Sequence, residues 1–440
     1  MIRSLLIANR GEIAVRIIRT CREMGIRTTV AYSQADRDSL AVRMADSHVC
    51  VGPPPAKDSY LNVRSLITAA VLSGCDALHP GVGFLAENSG FARDVREAGL
   101  VFVGPDPEVI DLLGDKIRAK RSATDMGISV IPGSKGAVNG AKEAVAAANG
   151  IGYPMIVKAA AGGGGKGMRI VRSADELSGV LAVASHEAEK AFSDGTVYLE
   201  RYLENPRHVE IQILADYHGT VVHLGERDCT VQQNHQKLVE ESPSMAVSPE
   251  LRSRMGDDAV RLLKGLGYTG AGTVEFLVKD GKHYFMEVNA RVQVEHPVSE
   301  MVTGVDIIRQ QLLAASGEPL EIRQQTIAVQ GYAVECRINA RSAGRVTQFI
   351  PPGGFGVRMD TFLYTGCQVP PWYDHLVGKL IVSAASRPEG LRRMERALGE
   401  LVIEGITTNR DSQRAIISNP VFRKGEYGTG FMAEVLKEGV

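Results

Sequence analysis

Five polar residues occupy every second position of one short segment. Glu287, Asn289, Arg291, Gln293 and Glu295 alternate with small apolar residues. In an extended chain this period places all five polar groups on one face. The ordinary interpretation of such alternation is a half-buried strand with a wet outer face. Two carboxylates, a guanidinium and two amides are instead suited to holding metal ions and oxyanions, so the segment is a candidate site.

The elements that carry these groups can be predicted from the flanking sequence. The runs 273–278 and 283–289 flank Lys-Asp-Gly-Lys, which is a hairpin signal. A three-residue loop with Gly281 in the left-handed region would place Glu275 and Glu287 diagonally on one face, where they could share metal ions. A two-residue Asp-Gly turn would place them on opposite faces. The ladder is expected to stop short of Glu295, because a proline follows two residues later.

A glycine run offers a second anion site. Residues 162–167 read Gly-Gly-Gly-Gly-Lys-Gly, and Lys158 precedes them at the end of an apolar strand. Consecutive glycines let backbone N–H groups converge on an anion, although no Ser or Thr follows to make a Walker loop. A flexible surface hairpin explains the glycines alone equally well. Together with the lysines and the carboxylates, the run predicts a mobile lid over a triphosphate.

Length and composition set the limits on fold and partners. A chain of 440 residues is too long for one core, so two to four domains are expected. The formal net charge of −1 gives no electrostatic case for nucleic acid or an anionic membrane as a partner. The six widely spaced cysteines indicate free thiols in a reducing compartment. With no spanning segment or long signal-like apolar region, the sequence predicts a cytoplasmic protein, or an organellar one after transit-peptide removal.

The first hundred residues alternate between short apolar runs and helical patterns. Strands are predicted at 5–8, 28–32, 49–51, 77–78 and 101–103, with helical segments such as 12–24 between them. This order predicts a doubly wound parallel α/β sheet. Asn9 and Glu12 have the spacing of a capping box. The first turn lacks the glycine pattern of a dinucleotide site, so this region is interpreted as scaffold.

A set of ordered motifs resembles the biotin carboxylase family essentially from end to end. Each motif is weak by itself, but the ordered set is highly specific. The motifs are residues 8–14 (Ala-Asn-Arg-Gly-Glu-Ile-Ala), 79–81 (His-Pro-Gly), 87–88 (Glu-Asn), the glycine run, 226–229 (Glu-Arg-Asp-Cys), 235–237 (His-Gln-Lys), 287–297 and 353–358 (Gly-Gly-Phe-Gly-Val-Arg).

The resemblance implies an α/β, ATP-grasp architecture with a mobile glycine-rich lid and a C-terminal α+β domain. The boundaries it implies are 1–114 for the N-terminal doubly wound domain, 115–131 for a helical linker, 132–203 for the ATP-grasp lid and 204–440 for the C-terminal catalytic domain.

The resemblance also implies a role for individual residues. ATP contacts match Lys116, Lys158, Gly164, Gly165, Glu200, Leu203, His208 and His235. Two Mg²⁺ or Mn²⁺ ions match Glu275, Glu287 and Asn289, and the two glutamates also face ATP. The bicarbonate site matches Lys237, Arg291, Gln293 and the backbone of Val294. Glu295 matches the base that takes the bicarbonate proton, and Arg337 matches the group that stabilises the biotin enolate.

The implied reaction is ATP-dependent carboxylation of biotin through carboxyphosphate. No Met-Lys pair occurs in the sequence, so biotin is expected on a separate carrier protein, with a carboxyltransferase as a further partner. Acetyl-CoA carboxylase, and hence fatty acid biosynthesis, is the first expectation. A pyruvate or other acyl-CoA carboxylase remains an alternative. So do another ATP-grasp ligase, such as a carbamoyl-phosphate or purine-pathway enzyme, and a regulatory subunit that binds ATP without turnover.

Two further expectations follow from the family comparison. Arg16, Arg19, Phe355 and Arg358 match positions of a two-fold dimer, which implies a homodimer. The chain also departs from the family after Ala340, where an acidic, proline-rich segment is usual and residues 341–345 run directly into the next strand. Either the loop is shorter here or residues are absent from the sequence. The departure adjoins Arg337 and therefore bears on biotin binding.

Overall fold

The computed structural model describes residues 1–134, 136–138, 140–160 and 168–437. Gly164 and Gly165, and with them the predicted glycine lid, lie outside the described residues. In the parts of the chain that are described, no helix is both long and apolar enough to cross a membrane.

The N-terminal region is a five-stranded parallel sheet with helices, as the alternating pattern predicts. Its order is β3-β2-β1-β4-β5. The strands are β1 (Ser4–Ile7), β2 (Arg27–Ser33), β3 (Ser47–Gly52), β4 (Ala77–His79) and β5 (Val101–Phe102). The helices are α1 (Gly11–Glu23), α2 (Leu40–Met44), α3 (Val63–Leu72), α4 (Ser89–Glu97) and α5 (Pro107–Gly114). The prediction of a doubly wound sheet is confirmed.

The predicted capping box at the start of α1 is wrong. The N-cap is Arg10, and no side chain caps the helix. The amide of Asn9 instead donates to the carbonyls of Pro80 and Val82, at 2.7 and 2.9 Å. Glu12 lies 3.0 Å from the ammonium of Lys379 on a distant strand. Both side chains are used for tertiary contacts, which local spacing cannot reveal.

A small three-stranded antiparallel sheet follows, with its own apolar core. Its order is β7-β6-β8. This stretch contains α6 (Lys116–Asp125), α7 (Ala141–Ile151), β6 (Met155–Ala159), β7 (Arg169–Val171), α8 (Ala174–Phe192) and β8 (Val197–Arg201).

The rest of the chain is built on an eight-stranded antiparallel sheet of order β13-β12-β9-β10-β11-β14-β19-β17. The strands are β9 (Arg207–Ala215), β10 (Val221–Gln233), β11 (Gln236–Ser242), β12 (Gly270–Lys279), β13 (Lys282–Asn289), β14 (Tyr332–Asn339), β15 (Gly344–Arg345), β16 (Gln348–Ile350), β17 (Val357–Thr361), β18 (Gln368–Val369), β19 (Leu376–Ala384) and β20 (Val402–Glu404). The helices are α9 (Pro249–Gly265), α10 (His296–Thr303), α11 (Ile307–Ala315), α12 (Arg387–Glu400), α13 (Arg410–Ser418), α14 (Pro420–Lys424) and α15 (Phe431–Lys437). The small pairs β15–β18 and β16–β20 stand apart from the large sheet.

The β12–β13 hairpin differs from both geometries considered from the sequence. Its turn has two residues, Asp280 and Gly281, both with positive φ, so the three-residue loop is wrong. A register shift between Glu275 and Phe276 then inserts an extra residue on β13. The bulge restores the shared face, and Glu275 pairs directly with Glu287.

The short segment after Ala340 is anchored at both ends. Ala340 forms an isolated antiparallel bridge with Thr408, and the N–H of Arg341 donates to the carbonyl of Thr407 at 2.7 Å. β15 then pairs with β18. The chain therefore passes from β14 to β15 through four residues, the buried Ala340 and the exposed residues 341–343.

Candidate active site

A cavity of about 800 Å³ lies between the small antiparallel sheet and the eight-stranded sheet. Every predicted site residue that the structure describes lines it. These residues are Lys116, Lys158, Glu200, Leu203, His208, His235, Lys237, Glu275, Glu287, Asn289, Arg291, Gln293, Val294, Glu295 and Arg337. Their positions come from seven strands and several connections, so the fold gathers residues that are far apart in the sequence.

The side of the cavity formed by the eight-stranded sheet is called the deep wall here. The ammonium of Lys237 lies at its centre. It donates to three carboxylates, with distances of 2.6 Å to Glu210, 3.0 Å to Glu275 and 2.6 Å to Glu295. Burial disfavours the charged amine, but the three carboxylates outweigh burial and raise the pKa of Lys237 well above its ordinary value. Lys237 is therefore a fixed positive charge within reach of the cavity.

Glu295 is shared between two cations. One of its oxygens accepts from Lys237, and the other accepts from Arg337 at 2.9 Å. Burial favours the neutral acid, but Lys237, Arg337 and Arg227 hold the pKa of Glu295 far below its ordinary value. The carboxylate is ionised in this arrangement, and losing either cation to another anion would raise its basicity.

Arg337 is held from behind by a second, deeper carboxylate. Its Nε donates to Glu240 at 2.6 Å, and the side chain of Glu240 is completely buried. Burial raises the pKa of Glu240 to about 7, although Arg337 opposes the rise. Glu335 pairs with Glu240 across β11 and β14, and neither of its buried oxygens has a hydrogen-bond partner among the described residues. Two acids thus stand side by side behind Arg337.

The alternating segment 287–295 is a strand only in part. β13 ends at Asn289, and Val294 and Glu295 form the turn that precedes α10. Arg291 donates to Glu87 at 2.7 Å and to the amide oxygen of Asn289 at 3.0 Å. The residues nevertheless converge on one cavity, because the chain turns over the end of the sheet. The expectation that the ladder stops short of Glu295 is confirmed.

Glu275 accepts donors from several directions. Its Oε1 accepts from Asn289 at 2.9 Å and from Gln293 at 3.0 Å, and its Oε2 lies 2.9 Å from Nε2 of His208. Burial opposes ionisation, but Lys237 and His208 hold the pKa of Glu275 well below its ordinary value. Opposite it, Glu287 lies 3.0 Å from the ammonium of Lys116. Two carboxylates and an amide at one end of a hairpin are the hard oxygen donors that Mg²⁺ prefers.

The other wall is formed by the small sheet. Glu200 on β8 accepts from Lys158 at 2.6 Å and from Lys120 at 2.7 Å. Apolar side chains from both sheets lie beside these charges and include Ile156, Met168, Leu203, Leu277 and Met286. Apolar side chains next to lysines suit a purine ring with its phosphates directed toward positive charge.

Sequence reasoning missed the buried supports of these groups. Arg227 is 0% exposed and donates to Glu210, Gln212, Ser299, Thr273 and Gln293. Glu210, at 0% exposure, therefore joins Arg227 to Lys237. The alternation along 208–212 places Glu210 on the same face as His208, and that was the available signal. Nothing local distinguishes Glu240 or Glu87 from solvated acids.

The four residues predicted at a dimer interface divide into two kinds. Phe355 is 90% exposed, and Arg19 is also exposed. Arg16 is buried, at 2.9 Å from Glu300 and 2.8 Å from Asp306. Arg358 bridges Glu300 and Asp360. Arg19 and Phe355 thus offer exposed surface, whereas Arg16 and Arg358 are held in ion pairs within the chain.

The two facing antiparallel sheets, with lysines on one and paired carboxylates on the other, define an ATP-grasp enzyme. Family models agree along the chain. The biotin carboxylase N-terminal domain matches residues 1–110, the carbamoyl-phosphate synthase L chain ATP-binding domain matches 115–323, and the biotin carboxylase C-terminal domain matches 335–434.

Full-length relatives agree with these models. Biotin carboxylase 1 of Bacillus subtilis (strain 168) is 50% identical over 442 residues, which covers 98% of this chain and 98% of the relative. The biotin carboxylase–beta-gamma-ATP complex of Campylobacter jejuni superposes with a TM-score of 0.96 at 45% identity, covering 99% of both chains. The chain therefore belongs to the biotin carboxylase family, and the predicted enzyme class, an ATP-dependent ligase, is confirmed.

A third relative carries ligands that bear on the site. It is the biotin carboxylase domain dimer of Hydrogenobacter thermophilus 2-oxoglutarate carboxylase in complex with MgADP, ADP and bicarbonate. It has a TM-score of 0.94 and 44% identity over 99% of this chain and 98% of that one.

Proposed function

We propose that this chain carboxylates biotin on a carrier protein with ATP and bicarbonate, as the first half-reaction of a biotin-dependent carboxylase. One observation carries the proposal: the Glu295 carboxylate lies between Lys237 and Arg337 at the wall of the cavity. A site that only bound ATP would have no need of a buried, ionised base beside two further cations.

ATP fits along the wall of the small sheet. The purine would lie on the apolar side chains, and Lys116 and Lys158 would face its phosphates. Glu275, Glu287 and Asn289 would hold Mg²⁺, or Mn²⁺ in its place, and two ions is the number we propose. When bound, the metal supplies charge neutralisation for phosphoryl transfer. The ion pairs of Lys116 with Glu287 and of Lys158 with Glu200 would open to accept these ligands.

Bicarbonate would lie between Lys237, Arg291, Gln293 and the backbone N–H of Val294. A bidentate guanidinium, an ammonium and two neutral donors match a small planar anion. When Lys237 donates a hydrogen bond to the anion, the charge of Glu295 is stabilised less. The pKa of Glu295 therefore rises. Glu295 then accepts the bicarbonate proton, which requires only hydrogen-bond reach.

The chemistry balances without a protein nucleophile. The deprotonated bicarbonate oxygen forms a bond to the γ-phosphorus, the bond to the β–γ bridging oxygen breaks, and ADP leaves with that electron pair. Carboxyphosphate divides into CO₂ and a phosphate trianion, the phosphate takes the proton of the ureido nitrogen of biotin, and the resulting ureido anion captures the CO₂. Arg337 would stabilise the enolate oxygen that develops on the ureido group. Its guanidinium needs to leave Glu295 only in part, because Glu240 holds it from behind.

The partners follow from the reaction. We propose a biotin carboxyl carrier protein and a carboxyltransferase subunit as partners, a homodimer through the surface near Phe355, and a cytoplasmic location. Acetyl-CoA carboxylase in fatty acid biosynthesis is the first candidate complex. A pyruvate or other acyl-CoA carboxylase is the alternative, since a 2-oxoglutarate carboxylase also contains a similar domain.

The test is ATP hydrolysis by the purified full chain, with bicarbonate and free biotin varied independently. We expect ADP release that requires bicarbonate and is stimulated by biotin, with ¹⁴C from labelled bicarbonate transferred to biotin. Bicarbonate-dependent hydrolysis that biotin never stimulates would favour a carbamoyl-phosphate type of ligase. ATP binding with no hydrolysis under any combination would favour a nucleotide-sensing subunit and contradict the proposal.

A further inference from the structure

A second buried lysine lies behind the active-site turn. Lys379 is on β19, and its side chain is 0% exposed. Its strand neighbours are Arg337 on β14 and Asp360 on β17. A lysine is almost never fully buried unless specific partners hold its charge. The partners of Lys379 therefore indicate what it does.

The ammonium of Lys379 donates to the backbone carbonyl of Val294 at 2.8 Å. The carbonyls on either side are bonded within the turn itself. His296 Nδ1 lies 2.7 Å from the carbonyl of Gln293, and the N–H of Val298 donates to that of Glu295 at 3.1 Å. The Val294 carbonyl is thus the point where a side chain from a remote strand fixes the turn. Its peptide plane also carries the N–H of Glu295.

The other partner of Lys379 comes from the opposite end of the chain. Glu12, in the first turn of α1, lies 3.0 Å from the ammonium and is 5% exposed. Burial raises the pKa of Glu12, an effect that the charge of Lys379 opposes. α1 begins directly after the loop that follows β1, and the parallel sheet holds that loop through Asn9. The N-terminal domain therefore reaches the turn through one carboxylate.

We propose that Glu12 and Lys379 are positioning residues for the Val294–Glu295 turn of the carboxylation site. The inference rests on the proposed function. Lys379 sets the plane of the peptide between Val294 and Glu295, and Glu12 sets the direction of the ammonium. The peptide plane fixes where the Glu295 carboxylate leaves the backbone, and the neighbouring Val294 N–H faces the proposed bicarbonate position. A carboxylate on α1 of the N-terminal domain thereby controls the position of the base.

The competing interpretation is that Lys379 only neutralises buried acids. Glu335 and Asp360 also face its charge. In that role Lys379 would matter for stability alone. Its substitution would then lower the measured activity only because fewer molecules are folded. A positioning role instead predicts a selective loss in the step that uses bicarbonate, because ATP contacts are carried by other strands.

The test compares Lys379→Met and Glu12→Gln with the wild type of the full chain. Lys379→Met removes the donor to Val294, whereas Glu12→Gln keeps the length of the side chain and removes the charge. We expect kcat/KM for bicarbonate in ATP hydrolysis to fall at least ~10-fold in Lys379→Met and several-fold in Glu12→Gln. KM for ATP should stay within about twofold in both, since neither residue contacts the proposed nucleotide wall.

Arg387→Met is the matched control. The substitution breaks another buried ion pair, in which Arg387 on α12 lies 2.8 Å from Glu241 on β11. We expect a lower melting temperature and an unchanged kcat/KM for bicarbonate per folded molecule. Bicarbonate kinetics within twofold of wild type in Glu12→Gln, or losses in both variants that track only the folded fraction, would overturn the inference. A wild type without bicarbonate-dependent hydrolysis would instead contradict the proposed function.

Discussion

The two walls of the active-site cavity hold their charges in different ways. On the wall of the small sheet, Glu200 binds Lys120 and Lys158, whose side chains are 15% and 13% exposed. On the deep wall, Glu210 and Arg227 are both 0% exposed and Glu295 is 2% exposed, whereas the cations Lys237 and Arg337 are 13% and 16% exposed. The first wall consists of one carboxylate shared by two lysines. The second is a continuous network in which each charge is already matched inside the protein.

This difference separates binding from chemistry. On the first wall, Lys158 can exchange Glu200 for a phosphate at modest cost, because Lys120 still binds Glu200 and no buried carboxylate is left without a partner. A buried network cannot rearrange freely, since each partner left alone carries a large desolvation penalty. The deep wall therefore keeps Glu295 and Arg337 in fixed geometry while ATP enters and leaves along the other wall.

The largest expected effect is on the base of the deep wall. Glu295→Gln keeps the shape but cannot accept the bicarbonate proton. Biotin carboxylation, measured by ¹⁴C transfer, should fall about 100- to 10,000-fold, as for the loss of a general base. Binding of ATP, followed by equilibrium titration, should change little. A near-normal turnover in this variant would show that the proton is taken elsewhere.

The second effect concerns the support beneath the base. Glu210→Ala would leave the fully buried Arg227 without its ion-pair partner. We expect a loss of about 3–5 kcal/mol in the free energy of unfolding, measured in urea. The surface pair Arg396–Glu400, with both side chains 44% exposed, provides the comparison. Arg396→Ala should cost about 0.5 kcal/mol or less. Equal costs would mean that the two kinds of ion pair do not differ.

The third effect belongs to the wall of the small sheet. Lys158→Met removes a charge that faces the proposed phosphates. KM for ATP should rise roughly 10- to 100-fold, because a charge-assisted hydrogen bond to a phosphate is lost. Lys120→Met is the control, because Lys120 binds the same carboxylate but is not among the described residues that line the cavity. Its KM for ATP should rise much less. The opposite order would reverse the assignment of the two lysines.

The smallest effect concerns pH. Burial raises the pKa of Glu335 well above its ordinary value, although Lys379 opposes the rise. A carboxyl whose folded-state pKa is raised binds more protons when folded, so it costs stability as pH rises above the ordinary glutamate pKa of about 4.3. Glu335→Gln should therefore raise the melting temperature relative to wild type, and the gain should grow from pH 5 to pH 8. A gain that does not change with pH would exclude titration of Glu335 as its cause.

Much of the fold could be predicted because its signals are local. The five parallel strands follow from apolar runs spaced by helical patterns, and the predicted bounds differ from those of β1 to β5 by a few residues. The proline at 297 predicts that the strand stops before Glu295, but not that β13 ends at Asn289. The alternating residues at 287–295 predict part of the candidate site, and the family motifs predict more of it.

Other features depend on contacts between distant segments. The capping box failed because Asn9 binds the loop after β4 and Glu12 binds Lys379 on β19, and the local pattern shows neither contact. The hairpin turn was wrong, yet the carboxylates share a face because a bulge between Glu275 and Phe276 corrects the register. Nothing in the nearby sequence distinguishes a bulge from regular pairing. The domain boundaries proposed from the resemblance, 1–114, 115–131, 132–203 and 204–440, remain predictions.

The sequence by itself determined the chemical inventory: which cations, carboxylates and amides exist, and which of them alternate along a strand. Tertiary structure alone decided their charge states and their supports. The pKa of Glu295 is held far below its ordinary value and that of Glu240 is raised to about 7, because burial and neighbouring charges act on each differently. Those neighbouring charges are Arg337, Lys237 and Arg227, which lie on separate strands. Electrostatic energy depends on distance and on the surrounding dielectric, and neither is written in the order of the residues.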